Sequence, residues 1–268
     1  YYVQQLFPNN VGKQNVKWTE EDNLLLQKGT VGLSTWQTNA TFDNVKVTDG
    51  QGNVVFSDDF SSVKPEWHSN GGRWSTVNGA LIQSDASMQG QIYMCDVQPG
   101  ADYTYEVDAT KNNGAEGFLI VFNYADSDNY CWWNLGGWGN EKHGVEVCTN
   151  GSKSTVASVN GSLVTGHTYH IKVEVKGTHV SCYLDGEFVY DFSLPVNRKV
   201  YVSSNIDDEA GVLYVKLVNP HPEAHMTTVN LAHASVTGGT VVVLSGARGT
   251  DENTTDNPYN VAPKESAL

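Results

Sequence analysis

From Val31 onward, short stretches of alternating apolar and polar residues are punctuated by Gly, Asn, Asp or Pro. An apolar residue at every second position gives a segment one buried and one wet face, which is the period of a β-strand. ATFDNVKVTDGQGNVVFSDDF predicts two strands around a turn at Asp49 to Asn53, and RWSTVNGALIQSD predicts a second hairpin around Asn78-Gly79. YTYEVDATKN, EGFLIVFNY, NYCWWNL, GVEVC, YHIKVEVKG, HVSCYLDG and EFVYDFSL follow, at the spacing of about 8–12 residues that β-sandwiches use. A break falls at Leu194-Pro195-Val196-Asn197. Beyond it, KVYVSSNIDDEAGVLYVKLVN predicts a hairpin with its turn at Asp207 to Gly211, and MTTVNLA and GTVVVLSG predict two more strands. The last twenty residues are polar and interrupted by proline, which predicts a surface tail. Tyr1 to Phe7 shows a helical pattern instead, one or two turns stopped by Pro8 and Asn9-Asn10.

Alternation also assigns faces. Tyr130, Trp132 and Asn134 share one side of their strand, and Cys131, Trp133 and Leu135 share the other. Glu116, Phe118, Ile120 and Phe122 oppose Gly117, Leu119, Val121 and Asn123. Counting does not say which face meets a ligand.

Composition narrows the function classes. The formal charge of -14 disfavours nucleic acid and anionic membranes, whose phosphates reward clustered Lys and Arg. No apolar run approaches the roughly 20 residues that span a bilayer. Neutral ligands remain the natural candidates. The opening YYVQQLF carries neither an initiator Met nor a signal peptide, and the chain is expected to be a piece of something longer. Sequons at Asn39, Asn150, Asn160 and Asn253 permit glycosylation in a eukaryotic secretory route, although such triplets arise by chance in Asn/Ser/Thr-rich chains.

Cys95, Cys131, Cys148 and Cys182 lack CxxC spacing, which argues against zinc and thioredoxin-like chemistry. One register of the hairpin closed by GGWGNEK sets Cys131 opposite Cys148 and so permits a disulfide; four buried thiols are the equal alternative. Asp126, Asp128 and Asn129, and Asp207, Asp208 and Glu209, are oxygen-rich, but each set falls where a hairpin needs turn-formers and lacks the spacing of a calcium loop. His221, His225 and His233 have no zinc-type spacing and read as loop residues. No phosphate loop or nucleophile elbow is present. No cofactor is expected.

The stretch EGFLIVFNYADSDNYCWWNLGGWGNEKHGVE carries the chemistry. It packs Trp132, Trp133 and Trp138 around a Gly-Gly turn among amides and carboxylates. Ring faces stack on the C–H surface of a sugar while polar edges bond its hydroxyls. Trp138 and Trp132 are the expected stacking platforms. Asn134, Asn140 and His143 are expected hydroxyl partners, and Glu116 a bidentate acceptor. Each has a bland alternative: core packing for the tryptophans, turn or hairpin roles for the amides and the histidine, a solvated strand-start carboxylate for Glu116. Core packing is the favoured role for Trp74, which with Arg73 follows Gly71-Gly72, and for Trp36.

YYVQQLFPNNVG resembles the closing barrel helix and following turn of glycoside hydrolase family 51 α-L-arabinofuranosidases. LSGARGTDENTTDNPYNVAPKES resembles the tail of their C-terminal β-sandwich, and KVYVSSNIDDEAGVLYVKLVN its hairpin. VGLSTWQTNATFDNVKV and the tryptophan-rich stretch resemble a concanavalin-A-like (laminin-G-like) module, with its usual last strands placed first. The resemblance implies an all-β fold: two β-sandwiches of jelly-roll type, one inserted in the other, with a short N-terminal helix. It implies a discontinuous sandwich at 1–27 and 195–268, in which 1–10 is a remnant of the last barrel helix, and an inserted sugar-binding module at 28–194. It also leaves room for a structural calcium.

Retaining glycosidases need two carboxylates about 5–5.5 Å apart, and the family carries both upstream of the closing helix, outside this chain. The chain alone is therefore expected not to hydrolyse glycosides, whereas its parent is expected to be an arabinofuranosidase. The expected function is accessory: binding plant cell-wall polysaccharide or arabino-oligosaccharide, such as arabinoxylan or arabinan, beside the missing catalytic barrel, outside the cell or in the periplasm. The alternative is a purely structural pair of sandwiches serving as spacer or oligomer contact. A free-standing sandwich enzyme fails for want of an acid/base pair.

Overall fold

The computed structural model describes residues 2–20, 26, 29–62, 64–196, 198–221, 223–232 and 234–268. Tyr1 of the expected helix, the expected boundary between residues 27 and 28, and His233 lie outside the described residues. Two compact units divide the chain: Leu24–Asn197, and Tyr1–Asn23 together with Arg198–Leu268. Among the described residues the strands are numbered β1 to β20 along the chain.

The inner unit is a sandwich of two antiparallel sheets. The seven-stranded sheet runs β13 (Ser152–Asn160), β12 (Lys142–Thr149), β11 (Asn129–Gly136), β10 (Phe118–Asp126), β2 (Thr30–Thr35), β8 (Tyr93–Cys95), β5 (Trp67–Ser69). The eight-stranded sheet runs β16 (Glu187–Ser193), β15 (His179–Leu184), β14 (Thr168–Lys176), β9 (Asp102–Gly114), β3 (Thr38–Asp49), β7 (Ala80–Gln83), β6 (Trp74–Val77), with β4 (Val54–Asp58) paired to β3. The fold is all-β with a short N-terminal helix, as the alternation and the resemblance imply.

Both expected hairpins form. Asp49 accepts backbone hydrogen bonds from Gln51 and Asn53 and closes the β3–β4 turn. Asn78 and Gly79 sit at φ 52° and 76° between β6 and β7, the left-handed pair that a tight hairpin turn requires. Between the sheets lies one core. Phe118, Ile120 and Phe122 from β10 and Cys131, Trp133 and Leu135 from β11 meet Phe42, Tyr105, Val107, Ile171 and Val173 from the facing sheet. Phe42 packs edge-on against Phe118 with ring centroids 5.9 Å apart. The phenol of Tyr105 donates to the carbonyl of Gly32 (3.1 Å), so a fully buried hydroxyl is satisfied across the sandwich. Trp74 joins this core, stacked on Tyr93 at 5.0 Å.

The outer unit comprises a three-stranded sheet, β1 (Gln14–Asn15), β17 (Tyr201–Asp207) and β18 (Val212–Val218), and a two-stranded ribbon, β19 (Thr240–Val243) with β20 (Lys264–Ala267). Helix α1 (Tyr2–Asn9) opens it. Four details differ from the sequence expectation. The helix runs one residue past Pro8 and is closed by the Asn10 amide donating to the carbonyl of Leu6 at 2.9 Å. MTTVNLA forms no strand, whereas Lys264–Ala267, inside the expected tail, pairs with β19. Strand β13 has no apolar alternation to betray it; it is an exposed edge strand held by its ladder to β12.

The cysteine register is the fourth correction. Tyr130 opposes Cys148, and Cys131 opposes Val147. That one-residue offset puts Cys131 in the core and Cys148 on the other face. All four cysteines are free and buried. Burial pushes their thiols up, that of Cys95 to about 12.

Candidate functional site

The outward face of the seven-stranded sheet carries a second, smaller apolar cluster. Leu119 and Val121 of β10, Trp132 of β11 and Ile92 form it, with Trp36, Met94, Tyr124 and Tyr130 packed against them. The sides inferred from alternation hold: Trp133 points into the core and Trp132 points out. Trp36 lies here rather than in the core, its ring edge-on to Trp132 at 6.5 Å. Gly90 passes close over both rings, so that a Cβ there would sit 3.1 Å from Trp132 and 3.4 Å from Trp36. Tyr130 tilts against Trp132 at 5.1 Å and stacks on Tyr124 at 5.9 Å.

Glu146 supplies the polar component. It opposes Trp132 in the β11–β12 ladder, so their side chains share the outward face. One carboxylate oxygen accepts from the Trp132 indole N–H at 2.7 Å and from the Asn134 amide at 3.3 Å. The Asn134 side-chain oxygen is buried and has no hydrogen-bond partner among the described residues. Lys153, from β13, places its ammonium 4.2 Å from the centroid of Trp132 and 5.4 Å from that of Trp36.

Trp138 reaches the same face from a strained turn. Gly136 stands at φ 68°, Trp138 at 53°, Gly139 at 76° and Asn140 at 67°. A side chain in the left-handed region costs roughly 1–2 kcal/mol per residue, so Trp138 and Asn140 stay there only because the surroundings hold them. Gly136 N–H donates to His143 Nδ1 at 3.0 Å, and Gly139 N–H to Glu116 Oε1 at 3.1 Å. The Asn140 amide clasps Leu163 through both its N–H (2.8 Å) and its carbonyl (3.0 Å). Glu141 N–H bonds back to Gly137 O at 3.0 Å. The Trp138 ring lies over Gly144, where a Cβ would meet Cζ3 and Cη2 at 2.8 Å. Gly144 opposes Asn134 on the outward face, so Trp138 sits one side-chain position along the sheet from Trp132 and Glu146. It is 41% exposed, whereas Trp132 is 3% exposed.

The six residues singled out from sequence therefore fall into two sets. Trp132, Trp138 and Asn134 share the outward face. Glu116, Asn140 and His143 tie down the turn that presents Trp138. His143 is buried, and burial lowers its pKa, so it is neutral and accepts through Nδ1. Sequence reasoning missed Glu146 and Lys153 and assigned Trp36 to the core. The alternation of GVEVC holds enough to place Glu146 opposite Val145 and Val147, but not to pair it with Trp132. The turn reading of the acidic clusters agrees with the geometry: Asp126 bonds Asp128 N–H and the Asn129 amide, and Asp207 bonds Glu209 and Ala210 N–H.

No family model matches the chain. Over 276 residues it is 39% identical to the extracellular exo-α-L-arabinofuranosidase of Streptomyces chartreusis, a match covering 100% of this chain and 33% of that protein. It is 29% identical over 149 residues to the levanase of Bacillus subtilis strain 168, covering 52% of this chain and 21% of that protein. Among solved structures, the carbohydrate-binding module CBM66 from Bacillus subtilis aligns with 52% of this chain and 88% of its own, with 25% sequence identity and a TM-score of 0.43. The chain thus spans about a third of the length of the first relative and about a fifth of the second.

Proposed function

We propose that the inner unit is a carbohydrate-binding module, inserted in the sequence of an outer sandwich that braces the catalytic barrel of an extracellular α-L-arabinofuranosidase. Its ligand is an arabinose-decorated plant polysaccharide, arabinoxylan or arabinan, which it holds close to the barrel without hydrolysing it. The observation that carries this reading is Trp138: a large apolar ring kept in a left-handed backbone and 41% exposed, by a turn tethered from Glu116, His143 and Asn140. Strain stored around one exposed aromatic side chain needs a return, and a stacking surface supplies it. Similarity along the whole chain to an exo-α-L-arabinofuranosidase supports the assignment of the parent.

Binding at such a face is weak per site, because stacking and hydroxyl contacts exchange against water. Calorimetric titration with arabinoxylan fragments is the test. Saturable heat from the chain, reduced at least about tenfold in affinity by Trp138→Ala, is the expected result. The loss corresponds to about 1.4 kcal/mol of ring contact. No heat with any arabinose-bearing ligand would overturn the reading. The rival, a purely structural spacer or oligomer contact, draws on the near-complete burial of Trp132; it predicts no heat and an unchanged Trp138→Ala variant.

A further inference from the structure

We propose that Lys153 selects the ligand of this face, and that the ligand is a glycan bearing a carboxylate, a uronic acid unit within the polysaccharide. The proposal rests on the carbohydrate-binding reading and names its substrate class.

The stacking surface is not open. Trp36 and Trp132 meet edge to face, and the ammonium of Lys153 sits over both rings, 5.4 Å and 4.2 Å from their centroids. A sugar that stacks on Trp132 must first lift this cation away. Lys153 has no carboxylate within ion-pair distance among the described residues. Glu146 lies on the same face and on the neighbouring strand, with one carboxylate oxygen held by Trp132 and Asn134. The lysine stands on an exposed edge strand, opposite Cys148, with a long stem free to swing.

The chemistry then discriminates. A neutral sugar displaces Lys153 and offers the ammonium nothing beyond hydroxyls. A sugar with a carboxylate gives the displaced ammonium a charge-assisted hydrogen bond, so the cost of uncovering the rings is recovered. Specificity arises from a contact that the wrong ligand cannot replace. Lys153 is thus a gate in the free protein and an anion partner in the bound one.

The experiment titrates the whole chain with a glucuronic-acid-substituted arabinoxylan oligosaccharide and with its carboxyl-reduced counterpart. The expected result is tighter binding of the acidic form by at least about fivefold, the order of one exposed cation–π or ion-pair contact. In Lys153→Ala the preference disappears and the reduced oligosaccharide binds more tightly than it does to the parent chain, because the rings are uncovered. In Lys153→Arg the preference persists. Equal affinity of the parent chain for both forms, or a preference unchanged in Lys153→Ala, would overturn the role of Lys153 while leaving carbohydrate binding intact. Failure of the parent chain and both variants to bind either form would overturn the carbohydrate-binding reading, and this proposal with it.

Discussion

His143 shows how a single side chain serves the face without being on it. Its ring is buried, and Gly161 packs so close that a Cβ there would lie 2.4 Å from the imidazole. The Gly136 N–H at the root of the Trp138 turn donates to Nδ1, which only an unprotonated nitrogen can accept. Burial lowers the pKa from its ordinary 6.5, although a backbone hydrogen bond at Lys142 offsets part of the effect. The folded-state value therefore lies below the unfolded one, and the unfolded chain takes up the proton first. The stability due to this neutral ring is complete above its unfolded pKa of 6.5 and is lost as pH falls from there through the folded-state value. Urea unfolding at pH 7.5 and at lower pH measures it. The parent chain is expected to lose more stability on acidification than His143→Gln, which keeps an acceptor but has no proton to gain. Equal losses would mean that His143 does not report on this turn.

At the scale of elements, the β11–β12 hairpin decides what the face contains. Its register pairs Trp132 with Glu146 and Asn134 with Gly144, and the glycine leaves the space into which Trp138 folds. Gly144→Ala places a methyl 2.8 Å from the ring of Trp138. Trp138 is the exposed end of a side chain rather than backbone, so it moves aside. Gly144 is itself buried, so global stability is expected to fall by about 1 kcal/mol, the centre of the range for point substitutions, while affinity for arabinoxylan fragments drops about as far as in Trp138→Ala. A variant that keeps full affinity would show that the ring does not act from its position over Gly144. Sequence reading reached this element in outline: it found both strands, both faces and the aromatic residues. It misjudged the pairing by one residue, which is why Cys131 and Cys148 were matched although they lie on opposite faces.

Across the whole molecule, apolar burial is distributed unevenly. Nearly all of the buried apolar side chains belong to the inner unit; among the described residues the outer unit buries only Val200. Tyr201, Val212, Val215, Leu217 and Val218 on β17 and β18 are exposed. The inner unit therefore has the core that independent folding requires, and the outer unit does not. Residues 24–197 expressed alone are expected to unfold in one cooperative transition by near-UV circular dichroism and fluorescence together. The joined outer segments, 1–23 with 198–268, are expected to lack such a transition. A cooperative outer unit, or an inner unit without coincident transitions, would contradict this division.

Sequence alone determined that the chain is built of strands, because a period of two is written locally in each segment and turn residues such as Asp49 to Asn53 and Asn78-Gly79 act within a few positions. It also sorted the residues of β10 and β11 into two faces, for the same local reason, though not which face meets the core. Tertiary structure decided the rest. Strand β13 is held by hydrogen bonds to β12 rather than by its own side chains, so no pattern marks it. Pairing register, set by the sum of contacts along two strands, brought Glu146 to Trp132. Pairing of β13 at the sheet edge put Lys153, and the turn after β2 put Trp36, beside them from positions about a hundred residues apart. Left-handed torsions at Trp138 arise from tethers at Glu116, His143 and Asn140 that converge only once the sandwich has closed. Residue types that suit a sugar can be read from the chain, but their common face exists only where long-range pairing has set it.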